Sequence, residues 1–179
     1  DSIPAVSPVR ETLPVSSFGD AADDPAIWHT ALGNTLILGT DKKSGLNVYN
    51  MTGDLRQFLA IGRVNNVDIA GSLAVATNRT TRTLDVLKLA KNEEVSKVAS
   101  YPLPFADPYG VCAFRRGGLV HVFAGDKNGR LQYRALSEEG VLVDEREEDV
   151  WKFESQTEGC VISPTRRLLF VGEEEKGIH

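Results

Sequence analysis

Short, mostly apolar runs recur along the chain, each closed off by Gly, Asn, Asp or Pro, and helical periodicity is scarce. The runs at 36–40, 46–49, 73–77, 84–87, 119–123 and 168–171 are typical. Each is too short for a helix and is flanked by turn formers, so each predicts a β-strand. Only the stretch 144–151 is long and polar enough to be mistaken for a helix. The pattern predicts an all-β chain.

The runs also repeat. Asp24-Pro-Ala-Ile27, Asn66-Val-Asp-Ile69, Pro108-Tyr-Gly-Val111 and Thr157-Glu-Gly-Cys160 superpose with their last residues 42, 42 and 49 positions apart. The strand after each ends in a small residue and a polar one, as in Gly39-Thr40-Asp41, Ala76-Thr77-Asn78, Ala124-Gly125-Asp126 and Val171-Gly172-Glu173. A third strand follows as Gly45-Leu-Asn-Val-Tyr49, Thr83-Leu-Asp-Val-Leu87 and Arg130-Leu-Gln-Tyr133. Four strands in roughly 40–50 residues is the period of a propeller blade. The fourth repeat reaches only Gly177-Ile178-His179, where its third strand begins. The chain therefore predicts a β-propeller segment of three blades and part of a fourth, near 20–64, 65–106, 107–154 and 155–179. Because propellers close with about four to eight blades, the open edges predict either further residues after His179 or a second copy that completes the ring.

Composition narrows the function classes. Of 179 residues, 41% are hydrophobic and 25% charged, which is globular rather than disordered. Against 25 acidic residues stand 20 basic ones, and the net charge of -5 argues against a nucleic-acid surface. No apolar run approaches the ~18 residues of a membrane span. The chain opens at Asp1 with neither Met nor an apolar leader, which reads as a mature or trimmed end. Two Cys and three His exclude a disulfide-dense scaffold and leave little for a zinc site or imidazole cage.

The densest chemistry lies in Gly19-Asp-Ala-Ala-Asp-Asp-Pro-Ala-Ile-Trp28. Its three aspartates just before an innermost strand crowd negative charge at one rim of the propeller. Such crowding calls for a cation, and an all-oxygen donor set suits Ca²⁺. A turn with a solvated acidic face would also account for Asp-Asp-Pro alone. Equivalent rim positions on the other repeats carry Asp41, Asn78, Asp107, Asp126, Glu158 and Glu173 beside Lys42, Lys43, Arg79 and Lys127. Carboxylates and cations at matching places suggest a polyanion held by metal ions together with Lys and Arg. Turn polarity by itself would explain about half of these positions.

With these motifs the whole chain resembles the amino-terminal half of the β-propeller phytases, calcium-dependent enzymes of six blades that release phosphate from phytate. The resemblance rests on Glu11-Thr-Leu-Pro-Val15, Asp20-Ala-Ala-Asp-Asp-Pro-Ala-Ile-Trp28, Lys42-Lys-Ser-Gly-Leu46, Asn65-Asn-Val-Asp-Ile69, Asn78-Arg79, Tyr109-Gly110, Ser155-Gln-Thr-Glu-Gly159 and Gly172-Glu-Glu174. It implies that Asp23, Tyr109, Glu158 and Glu174 hold catalytic calcium ions that bridge substrate phosphates, with Glu11, Asp20 and Asn65 in the same cluster. It further implies a structural calcium on Asp24 and the Val67 carbonyl. Lys42, Lys43 and Arg79 would contact phosphate oxygens, as would Lys127, which stands one place after the lysine of some members. Several Ca²⁺ ions, phytate as substrate and a secreted or periplasmic location follow from the same resemblance. The alternative is an incomplete, non-catalytic propeller domain that binds calcium and phytate beside a complete phytase domain; a homodimer of two arcs is a further arrangement.

The remaining residues read as structural. His29 and His121 lack partners at ligand spacing and read as surface or strand residues. Trp28 and Trp151 read as packing between blades. The acidic run 145–149 reads as a solvated outer strand or loop. Cys160 superposes on Val111, so Cys112 is one position off and should face the other side of its sheet. That offset predicts no disulfide.

Overall fold

The computed structural model describes residues 5–145, 151–163 and 165–179, none of them helical. Four antiparallel sheets follow one another along the chain. The first holds β1 (Ala22–His29), β2 (Thr35–Asp41), β3 (Gly45–Asn50) and β4 (Leu55–Leu59), paired in that order. The second repeats this with β5 (Val64–Ala70), β6 (Leu73–Asn78), β7 (Thr83–Leu89) and β8 (Val95–Pro102). The third has β9 (Pro108–Arg116), β10 (Leu119–Asp126) and β11 (Arg130–Ser137), with β12 (Leu142–Glu145) and β13 (Trp151–Lys152) both pairing with β11. The fourth holds β14 (Thr157–Ser163), β15 (Leu168–Glu173) and β16 (Gly177–Ile178). The first strands pack in series, β1 on β5, β5 on β9 and β9 on β14, as the inner strands of blades around an axis do. This is a β-propeller of four blades, the last with three strands.

Blades are held face to face by the period-2 alternation of each strand. Ala26 and Trp28 of β1 meet Val67, Ala74 and Ala76 of the second blade. The other face of β6 offers Val75 to a core shared with Val111, Val122 and Leu136 of the third. Cys112, Phe123 and Leu131 then meet Cys160, Ile162, Leu169 and Val171 of the fourth. The outermost faces lack a neighbouring blade: Ile27 on β1 is 62% exposed and Val161 on β14 is 61% exposed. Trp28 packs between blades as expected, and Trp151 on β13, 43% exposed, leans on the Phe123 ring at the edge of the space between the third and fourth blades. His29 and His121 take hydrogen bonds within their own sheets, to Thr35 and to Tyr133. Most of the acidic run 145–149 lies outside the described residues.

Two sequence expectations need correction. Pairing shows Pro25 opposite Gly39, Val67 opposite Ala76, Val111 opposite Ala124 and Cys160 opposite Val171. The equivalent residues are therefore Pro25, Val67, Val111 and Cys160, two places earlier than supposed in the first two blades. An even offset leaves every side chain on the same face, so the apolar pattern did not reveal it.

The second correction concerns the cysteines, which form a disulfide, Cys112–Cys160, between β9 and β14. Cys112 does face the opposite side of its sheet from the equivalent of Cys160. In stacked blades, however, one sheet's forward face meets the next sheet's rear face. The one-residue offset thus brings the two thiols into the same inter-blade space.

Candidate functional site

Each first strand is interrupted at its start. The ladder skips between Ala22 and Pro25, between Val64 and Val67, opposite Ala124–Asp126, and between Thr157 and Cys160. The residues released from pairing are Asp23-Asp24, Asn65-Asn66, Tyr109-Gly110 and Glu158-Gly159. A bulge re-aims side chains away from the alternating ladder. Here it recurs at the same level of four adjacent blades. Threonines brace two of these bulges: Thr40 Oγ1 accepts from Asp24 N at 2.9 Å, and Thr77 Oγ1 accepts from Asn66 N and donates to the Tyr109 carbonyl. The threonines carried no motif of their own, and only their place at the end of each second strand could have marked them.

The first residues of the four bulges share one space. Asn65 Nδ2 reaches Asp23 Oδ2 at 3.5 Å and Asn66 Oδ1 at 2.7 Å. Lys42, from the turn after β2, lies 3.6 Å from Asp23 and 2.9 Å from Asp20. Burial raises the Glu158 carboxyl above its ordinary value, with the charges of Asp23 and Glu174 adding to the rise and Lys42 opposing it. Burial also raises the Tyr109 phenol, reinforced by Glu158 and Asp23 and opposed by Lys42 and a hydrogen bond from Asn65. Carboxylates from the first and fourth blades therefore repel one another across this space.

Neutral oxygen is present too. Asn65 is fully buried, and its Oδ1 has no hydrogen-bond partner. A buried acceptor left unpaired costs about 1–3 kcal/mol, which a bound cation would offset. Among the described residues, no three His, Cys, Asp or Glu side chains converge closely enough to hold a metal by themselves. An ion here would need amide, phenol or phosphate oxygens beside the carboxylates. Such a hard, mixed oxygen set fits Ca²⁺.

Tyr109 links this cluster to a basic one. Lys127 Nζ sits 4.8 Å from its ring centre and the Arg79 guanidinium 5.9 Å. Both cations also approach Asp107: Arg79 Nε donates to Oδ1 at 2.5 Å, and Lys127 lies 3.8 Å from Oδ2. Asp126, which stands before Lys127, turns away and accepts from Asn128 N and Arg130 N at 2.9 Å each.

Four further expected residues make other contacts, and of these Glu174 also stands near enough to Glu158 for its charge to be felt there. Lys43 donates to the Phe18 carbonyl and, after Lys42, helps to hold the Asp20 carboxyl below its ordinary value. Glu11 rests its carbonyl against Gly53 in the β3–β4 turn, at the far end of β3 from the bulges. Asp24 turns inward, accepts from Val67 N at 3.0 Å, and is raised chiefly by burial. Glu174 follows β15 with its main-chain N–H on the Gln156 carbonyl. Asp41, Asn78, Asp126 and Glu173, read as rim groups, are buried turn caps that accept main-chain N–H groups of Lys43, Thr80, Asn128 and Ser155.

A family model described as Phytase matches residues 3–179. The chain belongs to the phytase family. A 3-phytase of Bacillus subtilis (strain 168) is 29% identical over 189 residues, covering 94% of this chain and 50% of its own length. The chain thus spans about half the length of the curated relative it matches. Among solved structures, the periplasmic gluconolactonase of Pseudomonas aeruginosa is similar at a TM-score of 0.58 and 15% identity, over 83% of this chain and 46% of that one. A chain of the nidogen/laminin complex is similar at 0.56 and 10% identity, over 85% and 56%. These two likenesses show the propeller fold alone.

The site geometry makes two predictions. A Cβ on Gly110 would lie 2.0 Å from the Glu158 carbonyl oxygen, between backbones that cannot both give way. Gly110→Ala should cost about 3 kcal/mol, the upper end for overpacking, and push Tyr109 and Glu158 apart. Thermal unfolding and calcium titration check this, and wild-type values in both would refute it. The second prediction concerns Glu158. Because the folded state holds its proton more tightly than the unfolded chain, ionising it costs stability as pH rises from its ordinary value through the raised one. Without calcium, Glu158→Gln should melt above wild type once pH exceeds that range, by roughly 2–4 °C per kcal/mol relieved, and match it below. With calcium the order should reverse. Identical melting curves at every pH in chelator would remove the argument.

Proposed function

We propose that this chain carries the calcium-dependent phosphate-binding face of a phytase, a phosphomonoesterase that converts phytate to lower inositol phosphates and phosphate. The observation that carries this reading is the convergence of Asp23, Asn65, Tyr109 and Glu158, one from each of four successive bulges, beside Lys42, Arg79 and Lys127. Asp23, Glu158 and Glu174, with Asn65 Oδ1 and the Tyr109 phenol, would hold calcium, and Asp24 with the Val67 carbonyl would hold a second, structural ion. Calcium, when bound, supplies positive charge that offsets repulsion between phosphates and carboxylates and draws electron density from phosphoryl oxygens. Lys42, Arg79 and Lys127 orient the polyanion by charge-assisted hydrogen bonds. The Cys112–Cys160 disulfide supports a secreted or periplasmic setting, where disulfides persist.

A second reading has its own support. Half the relative's length is covered and both outer faces are open, which suits a partial propeller that binds calcium and phytate without turnover, completed by a companion domain or a second copy. Phosphate release from phytate, measured in millimolar calcium and in chelator, separates the two. Calcium-dependent release supports the enzyme. Binding without release supports the accessory domain, and neither binding nor release sinks both.

A further inference from the structure

We infer that Asp107 is a positioning residue for anion recognition, holding Arg79 of the second blade and Lys127 of the third together over the Tyr109 ring. The inference rests on the reading of this face as a phosphate site. Asp107 directly precedes β9, and its carboxylate is gripped by one edge of the guanidinium: Nε to Oδ1 at 2.5 Å and Nη2 to Oδ2 at 3.1 Å. Lys127 Nζ stands 3.8 Å from Oδ2, and Lys127 N lies 3.4 Å from the Asp107 carbonyl. Asp107 thus binds the cations of two blades through its side chain and one of them through its backbone as well.

The geometry leaves donors to spare. A guanidinium has five N–H groups, and the edge facing Asp107 uses two. The three on Nη1 and the far side of Nη2 remain for an anion, in the planar fork that suits phosphate. Without Asp107, two like charges on one aromatic face would repel, and a free arginine would sample many rotamers. Asp107 neutralises one of the two cations it holds, so the trio keeps a single positive charge for an anion.

The sign of the effect separates this role from its opposite. Removing a negative charge beside an anion site should by itself tighten anion binding. If Asp107 positions the cations, its neutralisation loosens binding instead. Phytate is titrated calorimetrically into wild type, Asp107→Asn and Asp107→Glu in millimolar calcium, while the Arg79 Nε–H resonance is followed by NMR. Asp107→Asn should weaken binding about tenfold, the worth of one charge-assisted hydrogen bond, and shift the Arg79 signal. Asp107→Glu should recover most of both. In an Arg79→Lys background, where the fork is already lost, the further change Asp107→Asn should do much less. Asp107→Glu, which keeps the carboxylate, holds the test informative if Asp107→Asn is poorly folded. Equal or tighter binding by Asp107→Asn in the wild-type background, or an undiminished loss in the Arg79→Lys background, would show that Asp107 does not act by positioning Arg79 and would overturn the inference. Absence of phytate binding by wild type would instead bring down the phosphate-site reading, and this role with it.

Discussion

Replacing Asp23 by alanine is expected to abolish calcium-dependent phytate binding and any phosphate release. Asp23 lies where the groups from all four blades meet, 3.6 Å from Lys42 and 3.5 Å from Asn65, and its charge raises both Glu158 and Tyr109. Groups that merely orient a metal ligand cost about 10–100-fold when lost, so the loss of a ligand itself should exceed about 100-fold in calcium affinity. Stability should move the other way. In chelator, Asp23 is a like-charge neighbour of Glu158 and Asp24, and its removal relieves repulsion that the free protein must bear. The variant should therefore melt at or above wild type without calcium and gain nothing when calcium is added. A variant with unchanged calcium affinity would show that the ion sits elsewhere.

The second large effect is expected at the disulfide. Cys112 and Cys160 are 48 residues apart and join the third blade to the fourth at their inner strands. By the chain-entropy argument, closing a loop of that length is worth about 4 kcal/mol, and replacing native disulfides typically costs about 2–5 kcal/mol. The neighbouring core makes the loss harder to absorb. Between these blades lies a cavity of about 580 Å³ lined by Phe114, Phe123, Trp151, Ile162 and Leu169, so side-chain packing there is incomplete. Cys112→Ser with Cys160→Ser should lower the melting temperature by roughly 4–20 °C. Calcium affinity should fall as well, because Glu158 and Glu174 ride on the fourth blade while Asp23 and Tyr109 do not. Reductant should reproduce both effects in wild type and neither in the double variant. Melting and calcium binding that ignore reductant would contradict this.

The blades were legible because strand length, turn residues and the 42-residue spacing are local properties of the chain. Asp23, Asn65, Tyr109 and Glu158 stand at the head of each repeat, but it is the family resemblance, and not their spacing, that implies a shared role for them. What aims them was not legible. A bulge is defined by the partner across the ladder, so neither the skip at Asp23-Asp24 nor the two-residue offset between early and late blades shows in one strand alone. The cysteine pairing does not follow from facing within one sheet, because the bond is made between two. Asp41, Asp126 and Glu173 were ambiguous for a different reason. A carboxylate at the end of a strand can cap a nearby turn or face a ligand, and only the N–H groups that donate to it tell which: those of Lys43 and Asn128 in the turns that follow, and that of Ser155 in the segment before β14.

The most direct test of the central claim is calorimetric titration of phytate into this chain, first in millimolar calcium and then in chelator. Binding in calcium that disappears in chelator is the predicted result, because the carboxylates of Asp23, Glu158 and Glu174 repel an unescorted polyanion. Equal binding in chelator would mean that Lys42, Arg79 and Lys127 alone recognise the ligand. That outcome would contradict the assignment of the bulge cluster to calcium.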